Sequence, residues 1–176
     1  MKEIKLDLKR IFEKEKQPFF RAEYEIRPEE LGLPADLGEL TEPIKVDVYV
    51  VRNPKGEGYK VIYNIKGNVD LTCSRCLEVF SKDLSGEHSV VARSGLEERE
   101  HLTESDLNTV SLEGGILNLT ELVREQIILD LPYKPLCHPD CGGIEHHSEG
   151  KEPASGGEKT SPFAQLGKLL EKKKQS

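Results

Sequence analysis

Four cysteines are the residues here whose type and spacing can do chemistry, and they come as two close pairs, Cys73-x-x-Cys76 and Cys137-x-x-x-Cys141. Thiolates suit a borderline-soft ion such as Zn²⁺, and a spacer of two or three residues lets both sulfurs of a pair reach one tetrahedral centre. Cys73, Cys76, Cys137 and Cys141 are therefore the candidate ligands of a single structural Zn. The two pairs lie far apart in the chain, so only the fold can unite them. Gly142 and Gly143 relax the backbone after the second pair, whereas Leu77 stands where a metal knuckle usually has glycine. Two other readings stay open, namely four reduced thiols without metal and a redox pair. The redox reading wants a Cys-x-x-Cys that opens a helix. Here Cys76 leads into Leu77-Glu78-Val79-Phe80, a strand pattern, so nothing in the local sequence activates a thiol.

No catalytic constellation accompanies the cysteines. The chain has no Gly-x-Gly-x-x-Gly, no phosphate loop and no His-Glu-x-x-His. His138, His146 and His147 are substitute ligands by position only, since nothing in the sequence fixes their rings. His88 and His101 are solitary, on a strand face and in a polar loop. Carboxylate pairs such as Glu97-Glu98 sit in an acidic stretch without apolar residues to raise a pKa. The expectation is a non-enzymatic protein with no small-molecule substrate.

The first pair must be positioned by strands. Ile44, Val46, Val48 and Val50 alternate with polar residues, and Val61, Tyr63, Ile65, Gly67, Val69 and Leu71 alternate again. The turn chemistry of Asn53-Pro54-Lys55-Gly56-Glu57-Gly58 between them predicts an antiparallel hairpin. A third run, Phe80 to Val91, is expected to pair with the second, which puts Cys73 and Cys76 at a hairpin tip. Upstream, Lys2 to Lys16 reads as a strand and then a short helix, Phe19 to Ile26 as a strand, and Pro28-Glu29-Glu30 as a helical turn stopped by Gly32 and Pro34. Thr109 to Leu112 reads as a brief strand before Gly114-Gly115.

The second pair follows the main predicted helix. Asn118 or Thr120 caps it, and Leu119, Leu122, Val123, Gln126, Ile127 and Asp130 trace one stripe, widened by Ile128 and Leu129. Pro132 ends it. After Cys141 the composition shifts to glycine, proline and polar residues over 142–161, a flexible linker, and helical spacing returns with Phe163, Leu166, Leu169 and Leu170. The expected class is α+β: an antiparallel sheet of hairpins covered by one main helix over residues 1–141, then the linker over 142–161 and a short C-terminal helix over 162–176.

Composition narrows the setting. Of 176 residues, 36% are apolar and 32% charged, and the opening Met1-Lys2-Glu3-Ile4-Lys5 lacks the apolar run of a secretion signal. No segment is apolar enough over the length of about 20 residues that a membrane span needs. A cytoplasmic protein is expected, where the reducing environment favours metal binding over structural disulfides. Between Ser94 and Asp130 nine acids face two bases, which accounts for the whole net charge of -7. That segment repels phosphate and is compatible with docking on a basic protein, and it also reads simply as a solvated loop plus an exposed helix face. Basic residues gather at the ends, Lys2, Lys5, Lys9, Arg10, Lys14 and Lys16 at one and Lys168 with Lys172 to Lys174 at the other.

The order of features resembles one family. Leu71-Thr72-Cys73-Ser74-Arg75-Cys76-Leu77 is followed by a strand, an acidic stretch and then Asn118-Leu119-Thr120-Glu121-Leu122-Val123-Arg124-Glu125-Gln126-Ile127-Ile128-Leu129-Asp130-Leu131-Pro132. With Lys134-Pro135-Leu136-Cys137 and the terminal Pro162-Phe163-Ala164 box, this is similar to the YceD family. The resemblance implies a ribosome biogenesis factor that supports accumulation or processing of large-subunit ribosomal RNA. Its partner would be a large-subunit precursor, through a ribosomal protein or the RNA itself. A zinc-dependent RNA-binding module and a thiol-disulfide oxidoreductase are the alternatives. The family's metal-rich branch carries two more cysteines, at positions that fall here on Glu145 and Ser148, and its usual aspartate at the helix start is Asn118.

Overall fold

Alternating burial builds the central sheet of this protein. A computed structural model describes residues 3–54, 57–95 and 108–144. In β3 (Ile44–Arg52), Ile44, Val46, Val48 and Val50 point inward, and in β4 (Tyr59–Lys66) Tyr59, Val61, Tyr63 and Ile65 do the same. The two strands pair antiparallel, Val48 opposite Tyr63, as their period of two requires. β2 (Phe19–Ile26) flanks β3, and β7 (Gly86–Arg93) flanks β4. β8 (Thr109–Ser111) completes the sheet in the order β2-β3-β4-β7-β8 and runs parallel to β7. That parallel pairing has no local signature in the sequence.

The second and third alternating runs are each interrupted. The run from Val61 to Leu71 divides at Gly67 into β4 and β5 (Asn68–Thr72), and the run after Val79 divides near Leu84 into β6 (Val79–Asp83) and β7. The register is nevertheless continuous, because Ile65 faces Gly86, Asn68 faces Asp83, and the Leu84 N–H donates to Gly67 O across the break at 2.9 Å. It is one long hairpin that changes course at its waist. Gly67 permits this: a Cβ there would lie 2.3 Å from Ile44 Cδ1. Beyond the waist β5 gains a new neighbour, with Glu39 and Asp70 exchanging both backbone hydrogen bonds.

The helix α2 (Leu119–Asp130) supplies the covering layer. Leu119, Leu122, Val123 and Ile127 are buried in one cluster with the inward residues of β3, β4 and β5. Asn118 is the cap, its Oδ1 accepting from the Glu121 N–H at 3.3 Å, while Thr120 Oγ1 accepts from Ile4 N–H at 2.9 Å instead. Leu129, expected to widen the apolar stripe, is 77% exposed, because the stripe of a 3.6-residue helix turns away from the sheet there. The N-terminal strand β1 (Lys5–Asp7) pairs with β9 (Ile116–Asn118), a short strand the sequence did not announce, and a π-helical turn follows at Arg10–Lys14. α1 (Pro28–Leu31) ends in Gly32 at φ 58, in the left-handed region. The class is α+β. The linker beyond Ile144, the C-terminal helix and the residues Glu97, Glu98 and Glu100 lie outside the described residues.

Candidate metal centre

Strand parity delivers the first cysteine. The inward positions of β4 and β5 run through Tyr63, Ile65, Gly67, Val69 and Leu71, and Cys73 is the next in that series, fully buried. The chain then turns back within six residues: Cys73 N–H donates to Glu78 O at 2.9 Å, and Leu77 N–H donates to Cys73 O at 3.0 Å. This turn swings Cys76 to the same side. α2 delivers the second pair. Leu131 is extended before Pro132, and the chain runs on so that Pro135 O accepts from Ser74 N–H at 2.8 Å. A turn closed by Cys141 N–H on His138 O then brings Cys141 inward, and Arg75 Nη1 donates to Cys141 O at 2.9 Å.

All four sulfurs converge. Across the pairs, Cys73 Sγ lies 3.8 Å from Cys141 Sγ and Cys76 Sγ lies 3.7 Å from Cys137 Sγ. All four Sγ atoms lie within 4.8 Å of one another. A tetrahedron with Zn–S bonds of about 2.3 Å has S–S edges of about 3.8 Å. The donor set and its spacing therefore fit a four-thiolate ion. A disulfide needs about 2.05 Å and is not formed.

Electrostatics point the same way. Backbone N–H groups of Cys76 and Cys137, opposed by burial and aided by the Arg75 N–H at 3.4 Å, bring the Cys73 thiol down to about 5. Burial, with the neighbouring sulfurs, pushes Cys137 up to about 12. At Cys76 the Glu78 backbone N–H favours the thiolate, but burial and the thiols of Cys73 and Cys141 prevail and raise its pKa. The cluster by itself thus accommodates one anion easily and further anions poorly. A divalent cation is what would let four thiolates share so small a volume.

Other expectations resolve more simply. His138 is exposed and outside the cluster, and His146, His147 and His101 lie outside the described residues. His88 is not a solitary strand residue: its ring lies 5.4 Å from that of Tyr63, and its Nε2 lies 3.3 Å from Asp130 Oδ2. Gln126 joins them by donating to Asp130 Oδ1 at 2.9 Å and lying 3.2 Å from the Tyr63 hydroxyl. This polar seam fixes the end of α2 on the sheet. Sequence spacing cannot reveal it, since its members are distant in the chain. Arg75 was likewise not anticipated as the residue that ties the two cysteine turns together.

Leu77 occupies φ 63, the left-handed conformation for which glycine is the ordinary choice, and its side chain is 62% exposed. A non-glycine residue there costs about 1–2 kcal/mol, and glycine's greater freedom in the unfolded chain offsets part of that. Leu77→Gly is expected to stabilise the protein by about 0.5 kcal/mol, whereas Leu77→Ala keeps the strain and gains nothing. Denaturant midpoints of the two variants check this.

Among the described residues no helix is long and apolar enough to cross a membrane. Comparison with curated proteins and with solved structures gives no match. Comparison with family models does: residues 61–170 match the model described as large ribosomal RNA subunit accumulation protein YceD. That span takes in both cysteine pairs, nearly all of the hairpin whose tip carries the first pair, and α2, and its extent shows that the chain belongs to the YceD family.

Proposed function

We propose that this protein is a non-enzymatic biogenesis factor of the cytoplasm. It supports large-subunit ribosomal RNA accumulation by binding a component of the subunit precursor, and it holds one structural Zn through Cys73, Cys76, Cys137 and Cys141. The observation that carries the reading is the family match over residues 61–170. The metal's part is to clamp the hairpin tip to the segment after α2, and its chemistry there is charge and geometry. Cys73 and Cys141 are buried, which works against thiol exchange, since an attacking thiolate must reach its target.

Of the two partner classes, a basic ribosomal protein suits this chain better than free RNA. The segment from Ser94 to Asp130 carries nine acids against two bases, and carboxylates repel phosphates. The test is recovery of large-subunit precursors on the tagged full chain at low salt. The same recovery is then measured with the triple variant Glu97→Gln, Glu98→Gln, Glu100→Gln. Recovery should fall with added salt and fall further in the variant, at unchanged thermal stability. Recovery unaffected by the three substitutions would remove this stretch from the mechanism. Tight binding of naked RNA, weakened only by replacing the terminal lysines, would favour an RNA-binding module instead.

A further inference from the structure

Among the described residues β8 is the last strand of the sheet, paired with β7. Beside it lies a groove of about 410 Å³, walled by β1, β9 and the start of α2. Its floor is apolar, with half-buried Val110 and exposed Ile116 at the surface. Its rim is acidic, carrying Glu113, Glu121 and Glu125, all exposed. Among the described residues the one cation lining it is Lys5, whose ammonium already pairs with Glu3 at 2.8 Å. The hydrogen bond to Glu3 and its charge raise the Lys5 pKa, and the carboxylates of Glu113 and Glu121 push the same way. The groove's field therefore already favours an ammonium group.

We propose that this groove docks a lysine- or arginine-rich polypeptide segment. Its aliphatic stems would rest on Val110 and Ile116, and its charges would meet Glu113, Glu121 and Glu125. Long basic side chains combine an apolar stem with a charged head, which is the pairing that this floor and rim present. Nucleic acid is the poorer occupant, because three carboxylates would face its phosphates. The opposite edge, β2, differs: its outward residues are Phe19, Arg21, Glu23 and Glu25, and Arg21 is bonded to Asp47. The inference rests on the protein-partner reading above and names the surface that would serve it.

The test uses the full chain and a labelled peptide of about ten residues alternating lysine and alanine. Binding should weaken with salt and shift the backbone amides of Val110, Ser111 and Ile116. Glu113→Gln with Glu125→Gln, which spares Glu121 because its carboxylate accepts from Asn118 Nδ2 at 3.2 Å, should weaken it by about tenfold. Glu23→Gln with Glu25→Gln, on the far edge, should leave it within about twofold. Equal binding by the groove variant, or shifts confined to residues away from β8, would overturn the proposal. So would a single-stranded RNA that displaces the peptide from the same amides. The assay contains no ribosomal component, so the two readings fail separately. Peptide binding in a protein whose loss leaves ribosomal RNA unchanged would remove the biogenesis reading alone. Absent peptide binding in a protein whose loss depletes ribosomal RNA would remove the groove alone.

Discussion

Purified without chelator, the protein is expected to carry about one Zn per chain, and removing it should lower Tm by about 10 °C or more. An ion that binds the folded chain and not the unfolded one adds its binding free energy to stability. Here it would also close a long loop, since the cross-pair contacts join residues 61 and 68 positions apart. Cys73→Ser should reproduce the loss, because that side chain is fully buried and three thiolates remain around an incomplete site. His138→Ala should retain the metal and the Tm, as His138 is exposed and outside the cluster. Elemental analysis and thermal melts with and without chelator make the measurement. A metal-free protein with a chelator-insensitive Tm would leave four reduced thiols. Insulin reduction above a thiol control, abolished by Cys73→Ser, would instead revive the oxidoreductase.

Ile127→Ala should destabilise the fold by about 3 kcal/mol, while Leu129→Ala, two residues on, should stay within about 0.5 kcal/mol. Ile127 is 1% exposed and sits in the core with the inward residues of the sheet, so truncation leaves a cavity. Leu129 is 77% exposed and loses no packed neighbour. Because the chain runs directly from α2 to Cys137, loosening the helix should also weaken metal retention. Competition with a chelator of graded strength reads that coupling. Equal effects of the two substitutions, by denaturant unfolding, would mean that the helix presents a different face to the sheet.

The sequence by itself determined the elements that obey a local period. β3 and β4 were legible because one face is buried and the other wet, and α2 because its cap, stripe and terminal proline all agree. The cysteine pairs were legible as candidate ligands because thiolate chemistry depends on residue type and short spacing. Tertiary structure alone decided where the long hairpin changes course, since the reason is the closeness of Ile44 to Gly67, 23 positions away in the chain. It alone decided that β8 runs parallel to β7 and that β1 pairs with β9, because such pairings have no signature in either segment. It also decided that the two cysteine pairs meet. Parity along β4 and β5 turns Cys73 inward, and the docking of α2 sets the distance from Pro135 to Ser74 that carries Cys137 and Cys141 across to it. A chain can write candidate ligands locally, but the distance between two clustered pairs is fixed by packing between segments that no window of sequence contains together.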